Sequence, residues 1–340
     1  MFGRRRRKDP TEAITEFWVW WSQARPRVAA AIEDGTTETL AEEISEQVHA
    51  IHDKLQWELS KGSRSRHSLV VAPAGDPALR ATVARWLAVA PAADPLFEYH
   101  GSRQPDDNVF SARMQIAGHD LDLSELRFAF SVVEGAHDVD VAVYHPTFAD
   151  LPPSAAQQVT FLALDWALGE EQVELWVGGV NTLTTPMPGL RTSLELREAV
   201  TDLAAGHTEP LYAMLSGENR HGAPIMAMVQ VPLKPARWPR LDTHVAVTLR
   251  FAARDNGLPT DQSLEELRDV EDRIIDAVGR DGEVVAHETS SGVRTIHVYV
   301  DGATRAGDAA VAGTAATGSL RATTKVTYDP NFSRVGHLRT

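Results

Sequence analysis

Two copies of the pattern His-Asp-apolar-Asp-apolar stand near each other, His119-Asp120-Leu121-Asp122-Leu123 and His137-Asp138-Val139-Asp140-Val141. In a strand, residues two apart share a face, so Asp120 with Asp122 and Asp138 with Asp140 would each present paired carboxylates, the ligands hard cations prefer. If these strands form a meander with residues 127–133 between them, the two rows lie roughly 10 Å apart, at about 4.8 Å per strand step. One ion cannot bridge that gap directly, and the pattern reads as a solvated acidic sheet face that discourages edge association. His49 and His52, with Asp53 adjacent, have a spacing that could seat two metal ligands on a helix. No third ligand accompanies them, and His52 flanks an apolar stripe, where histidine covers the edge of a core. His287-Glu288 begins like a zinc-protease helix, yet Ser291 stands where the second histidine is required, and the stretch reads as strand. Glu271 is the sharpest case. On a helix it falls among Leu267, Ile274, Ile275 and Val278, inside the stripe that should face a sheet. A buried carboxylate needs a donor, and Arg250, Arg294 and Tyr299 are the candidates by strand order. The functional alternative is a carboxyl of raised pKa in a cleft, acting as acid or base.

Other signatures of chemistry are missing. The chain has no Gly-x-Ser-x-Gly elbow, no Gly-x-x-x-x-Gly-Lys and no Gly-x-Gly-x-x-Gly after a strand. Acidic residues are too many for one acid–base pair to be singled out. No catalytic, cofactor-binding or metal-ligating residue is therefore assigned. Cysteine is absent, which excludes disulfides, thiol nucleophiles and zinc ribbons. The net charge is -14, although Arg4, Arg5, Arg6, Arg7 and Lys8 form a basic run. The remainder thus carries about -19, which opposes contact of the folded body with nucleic acid and leaves only that run to meet a polyanion. No apolar run approaches the roughly 20 residues needed to cross a bilayer, and none follows the basic run to make a signal peptide. The expectation is a cytoplasmic protein.

The periodicities that must position these residues predict an α+β chain. Residues 1–10 form a disordered basic tail. Residues 11–62 form a helical hairpin: Ile14, Phe17, Trp18, Trp21, Val28 and Ile32 trace one stripe, interrupted at Pro26, and Leu40, Ile44, Val48, Ile51, Leu55 and Leu59 trace another over Thr39 to Ser60. Trp20 and Trp57 sit off these stripes and should pack on the next domain. Residues 66–182 form a central α+β domain with a largely antiparallel sheet, opening with a β-α-β unit from Ser68 to Gly101 and closing with a helix over Pro152 to Leu168 and a strand at Val173 to Val177. Two apolar faces on that helix, Val159, Leu162, Ala163 and Trp166 against Phe161, Leu164 and Leu168, require cover on both sides, the second from the hairpin or the C-terminal domain. Residues 183–207 form a linker helix. In residues 208–332, Ser263 and Glu266 have the spacing of a capping box, a helix should start at Leu264 and end at Gly279, and Ser290-Ser291-Gly292 should join a hairpin. Residues 302–319 stay open between helix and flexible segment, because alanines favour a helix that Gly307, Gly313 and Gly318 oppose. With that helix, His244 to Tyr328 reads βαββαβ, a ferredoxin-like domain. Residues 333–340 form a tail.

From about Glu209 onward the chain resembles the bacterial family called domain of unknown function 695. The likeness rests on Gly257-Leu258-Pro259, the helix with Glu271-Asp272, the hairpin Thr289-Ser290-Ser291-Gly292-Val293-Arg294 with Tyr299 beyond it, and Asp329-Pro330. Leu164-Asp165-Trp166-Ala167-Leu168-Gly169-Glu170 is similar to the portion preceding that domain in longer members. The resemblance implies no established activity. The family is similar in turn to the regulator of ribonuclease E activity of the B type, a ferredoxin-like inhibitor that works by binding a protein, a likeness at the level of fold. The expectation is a non-catalytic binding or regulatory module acting through protein–protein contact. The alternative is a hydrolase-type enzyme with a site assembled from scattered acidic and histidine residues.

Overall fold

A computed structural model describes residues 10–133, 135, 137–314 and 320–339. The basic run Arg4 to Lys8 lies outside them. The chain divides into two units between Arg103 and Gln104, both mixing helices and strands. The first contains α1 (Pro10–Glu33), α2 (Glu38–Ile51), β1 (Gln56–Lys61), β2 (His67–Ala72), α3 (Pro77–Ala88) and β3 (Phe97–His100). Pro10, expected in the tail, opens α1, where its missing N–H has no intrahelical partner to lose. Pro26 lies within α1 without ending it.

The second helix stops at Ile51 and does not reach Ser60: His52 turns extended, with φ -158° and ψ 133°. A four-residue spacing is compatible with a helical stripe but also with every second residue of a strand. Leu55 and Leu59 obey the latter, and Trp57 between them shares their face, which is why it looked off-stripe. β1 pairs antiparallel with β2, and β2 pairs parallel with β3. The helices bury an aromatic cluster of Phe17, Trp18, Trp21, Trp86, Phe97 and Tyr99 on this sheet, in which Trp21 Nε1 donates to Tyr99 Oη at 3.0 Å. Trp20 and Trp57 find partners inside this unit, donating to Glu43 Oε1 at 2.8 Å and Ser45 Oγ at 2.9 Å. The β-α-β segment thus joins the helical hairpin, and the division falls at Arg103 where a boundary between 62 and 66 was expected.

The second unit begins with a separate hairpin, β4 (Arg113–Ile116) and β5 (His119–Asp122), followed by β6 (Arg127–Val133), β7 (Asp138–Tyr144), α4 (Pro153–Leu168), α5 (Glu170–Trp176), β8 (Val177–Leu183) and α6 (Ser193–Ala205). No single meander forms: β4 and β5 make one sheet, while β6, β7 and β8 make another in that order, with β7 parallel to β8. The strand expected at Val173 is helix α5, and strand begins at Val177. The expected linker helix is α6, started by a capping box of Thr192 and Glu195. It buries Leu196 and Val200 in the same core as Val159, Ala163 and Leu164. Cover for α4 therefore comes from α6 of its own layer, and Phe161 remains 46% exposed.

The rest of this unit comprises β9 (Leu211–Glu218), β10 (Pro224–Val231), β11 (Thr243–Arg250), α7 (Asp261–Val278), β12 (Gly282–Ser290), β13 (Val293–Val300), α8 (Ala306–Gly313) and β14 (Arg321–Tyr328). The strands form one six-stranded sheet, order β14-β11-β13-β12-β10-β9, with every neighbouring pair antiparallel. Val245, Val247, Ile296 and Val298 face α7 and α8. On the opposite face Val229, Val285 and Tyr299 pack against Phe332, Val335 and Leu338. Residues 333–338, expected as tail, thus form a 3₁₀ turn that closes the core. Of the stretch left open, α8 accounts for Ala306–Gly313, while residues 315–319 lie outside those described. Helix α7 starts three residues earlier than expected: Thr260 caps it by accepting from Ser263 N at 3.2 Å, and Ser263 Oγ, expected as the cap, donates to Ala252 O at 2.9 Å. Lys234 ties the two layers of the unit, reaching Asp138 Oδ1 at 2.5 Å and Val177 O at 3.3 Å.

One buried charge organises the first unit. Glu98, 3% exposed, accepts from the consecutive N–H groups of Ser63, Arg64 and Ser65 at 2.7, 2.9 and 3.0 Å, and meets His100 Nε2 at 3.1 Å. Burial alone would raise this carboxyl, but the donors outweigh it and hold it at about 2, against an ordinary 4.5. Because the folded value lies below the unfolded one, the contribution to stability is complete above 4.5 and is lost as pH falls from there toward 2. Glu98→Gln should cost about 2 kcal/mol near neutral pH, read in urea unfolding by the tryptophans of the first unit. The gap between wild type and variant should close across that acidic window; a gap unchanged at low pH would show that the carboxylate charge is not what the loop requires.

Candidate binding groove

A helix is about 10 Å across and strands are spaced by about 4.8 Å, so one helix covers about two strands. Helices α7 and α8 therefore cover β14, β11, β13 and β12, and two of the six strands lie beyond the outer flank of α7. On that side β9 and β10 present the register pairs Met214–Met228, Ser216–Met226 and Tyr212–Gln230. Met214 is 67% exposed, Tyr212 52%, Ile275 of α7 47% and Met228 37%. A groove of about 500 Å³ results, its apolar walls formed by these methionines, Leu258, Pro259, Leu264 and Ile275, and a recess of about 170 Å³ adjoins it beside Glu283 and Gly282. Leu258 and Pro259 reach it because Gly257 turns the chain at φ +79° against the β12–β13 hairpin; a Cβ there would stand 2.9 Å from Ser291 Cα.

The floor is polar. Glu271 Oε1 meets His287 Nδ1 at 2.9 Å, Glu271 Oε2 lies 3.8 Å from Arg294 Nη1, and Arg294 Nε donates to Thr289 Oγ1 at 2.9 Å. Of the donors expected for Glu271, Arg294 is present. Arg250 is exposed at the end of β11, and Tyr299 points to the opposite face, where it donates to Asp329 Oδ2 at 2.6 Å. The missed partner, His287, reaches this side through a β-bulge between Val284 and Ala286. Val285 and Ala286 both face the far core, so the alternation slips by one residue and carries His287 toward α7. Burial pulls the Arg294 pKa down while the charge of Glu271 opposes the shift.

The far face holds a second polar chain. His244 Nε2 and His297 Nδ1 are 3.0 Å apart, His297 Nε2 lies 3.0 Å from Glu288 Oε1, and His337 reaches the same carboxylate at 3.2 Å. Burial, reinforced by His297, lowers His244 to about 4, so it is neutral at physiological pH.

The aspartate rows are not brought together. Asp138 holds Lys234, Asp140 accepts from Gly179 N at 2.6 Å, and Asp122, in the other sheet, accepts from Ser124 N at 3.1 Å. His49 lies in the last turn of α2 while His52 is extended just past its end, so the two do not share a helical face. Among the described residues no group of three or more His, Cys, Asp or Glu side chains could hold a metal ion, and no helix is long and apolar enough to cross a membrane.

No protein-family model and no curated protein matches the chain. Among solved structures it is similar to a crystal structure of ttk003000868 from Thermus thermophilus, at 11% identity and a TM-score of 0.17, over 89% of this chain. The chain spans 40% of the length of that protein.

Glu271→Gln leaves Arg294, whose side chain is 7% exposed, without its counter-charge. The variant should lose about 3 kcal/mol in urea unfolding of the full chain. Adding Arg294→Met should recover much of that loss, and a cycle without such recovery would show that the two groups are not coupled.

Proposed function

We propose that the protein is a non-catalytic binding module, acting through protein–protein contact at the groove between α7 and strands β9 and β10. The observation that carries this reading is the exposure of Met214, Met228 and Ile275 in one groove, with Tyr212 in the recess that adjoins it. Exposed apolar patches of this kind mark interaction sites, and methionine side chains adapt to varied partners. The reading includes a ferredoxin-like domain spanning β11 to β14 and extended by β9 and β10, and kinship with the domain of unknown function 695. The motifs behind that resemblance converge here: Leu258, Pro259, Glu271, Asp272, Thr289 and Arg294 all line the groove. Tyr299 and Asp329, two further members, bond to each other beneath the sheet.

The pair Glu271–His287 on the floor favours the second reading, a hydrolase, since a carboxylate and an imidazole in contact can move a proton. Its weakness is the lack of an activated nucleophile: among the described residues around the groove the hydroxyls are that of Thr289, 3% exposed and engaged by Arg294, and the phenol of Tyr212, whose pKa burial raises. The test is a photo-crosslinking side chain placed at Met214 of the full chain in its source cells, with the same side chain at exposed Val89 as control. A discrete protein adduct should form from Met214 and disappear when Met228→Glu is added. Turnover in a hydrolase screen that Glu271→Gln abolishes without unfolding the chain would overturn the reading.

A further inference from the structure

We propose that the strip over β9 and β10 takes an amphipathic α-helix of a partner protein, apolar on the face it docks and flanked by Lys or Arg. This rests on the binding-module reading above and specifies the occupant. The first argument is geometric. The uncovered strip is two strands wide, the width one helix fills, and α7 already forms one wall, so a docked helix continues the layer that α7 and α8 begin. The second is the chemistry of the strip. Met214 and Met228 stand directly opposite each other in the register, Met226 lies two residues from Met228, and the groove of about 500 Å³ offers apolar contact to the i, i+3, i+4 and i+7 side chains of a helix. An extended segment added at the edge of β9 would pair its backbone but leave these three methionines facing water. A second copy of this chain paired through β9 would leave them equally open.

The third argument is charge. The segments Leu211–Glu218 and Pro224–Val231 contain no Lys or Arg, and β9 ends in Glu218; exposed Arg220 follows in the turn between them, and half-buried Arg237 near Tyr212 is matched by Glu283. The α7 flank adds Asp272 and Asp276 against one exposed cation, Arg268, while Arg294 is held by Glu271. Basic flanks on the incoming helix complement this rim, and acidic ones are repelled.

The test uses the full chain labelled with carbon-13 at its methionine methyl groups, of which Met114 and Met187 serve as internal controls. The probes are a helix-patterned Leu/Lys peptide of about 18 residues, its Leu/Glu counterpart, and a Val/Lys peptide of alternating strand pattern. The Leu/Lys helix should shift Met214, Met226 and Met228, leave Met114 and Met187 unmoved, and bind at least about tenfold more tightly than either other peptide. Met214→Gln with Met228→Gln should weaken it at least about tenfold with thermal unfolding unchanged. Preference for the strand-patterned peptide, or self-association that the two substitutions abolish, would overturn the helical occupant while leaving the groove as a protein-binding surface. Failure of every probe to move the three methyls, together with no adduct from the Met214 crosslinker, would overturn both readings.

Discussion

The carboxylate of Glu271 fixes where α7 sits on the large sheet. It is the one acid in the apolar stripe of that helix, and its partners, His287 on β12 and Arg294 on β13, lie beneath the helix. Moving α7 outward to shield β10 would separate Glu271 from Arg294 and strand a charge that is almost wholly out of water, a loss larger than the gain from completing the burial of Met226 and Met228, both already largely covered. The helix is therefore held over β12 and β13, and the openness of β9 and β10 follows from an electrostatic restraint. With α8 pressed against α7, where a Cβ on Gly313 would come within 3.3 Å of Arg273 O, the helical layer cannot spread in the other direction either.

The two faces of this sheet are coupled through β12. The bulge at Val284 and Ala286 sends His287 to the groove and Glu288 to the far side, where the carboxylate joins His297 and His337. The far face is closed by aromatic contact, Tyr299 stacking on Phe332 at 3.5 Å, and by Asp329, which accepts from Tyr299, Ser333 and Arg334. Without the bulge the imidazole and the carboxylate would exchange faces, leaving Glu271 without its histidine and His297 without its acid. A single extra residue thus sets both polar chains.

What the sequence disclosed follows the strength of each local signal. The stripe of α7, its end at Gly279 and the presence of a hairpin after it were legible because three independent signals agree there, although the expected three-residue link is the two-residue turn Ser291-Gly292, since Ser290 pairs with Val293 and extends β12. The need of Glu271 for a partner was legible from phase alone. Its histidine was not, since a bulge leaves no mark in an alternating pattern and His287 reads as facing the other way. Leu55 and Leu59 fit a helix and a strand alike because a spacing of four residues satisfies two periodicities, and Trp57, off the helical stripe but on the face of the strand, is the residue that breaks the tie. The groove was hidden for a different reason. Met214, Met226 and Met228 alternate as any half-buried strand does, and only the count of helices against strands shows that nothing in the described chain covers them.

An open apolar strip beside an edge strand is a hazard for any protein, because a second copy offers the same strip and a backbone to pair with. Here the hazard is countered by charge. The body of the chain carries about -19 once the basic run is set apart, so two copies approaching strip to strip bring like charges together, at Asp272, Asp276 and Glu218 among others. The same field that opposes self-association attracts a cationic partner, which makes the acidic rim and the methionine walls parts of one selection: the walls supply affinity with little regard for shape, and the rim decides which apolar surface is admitted.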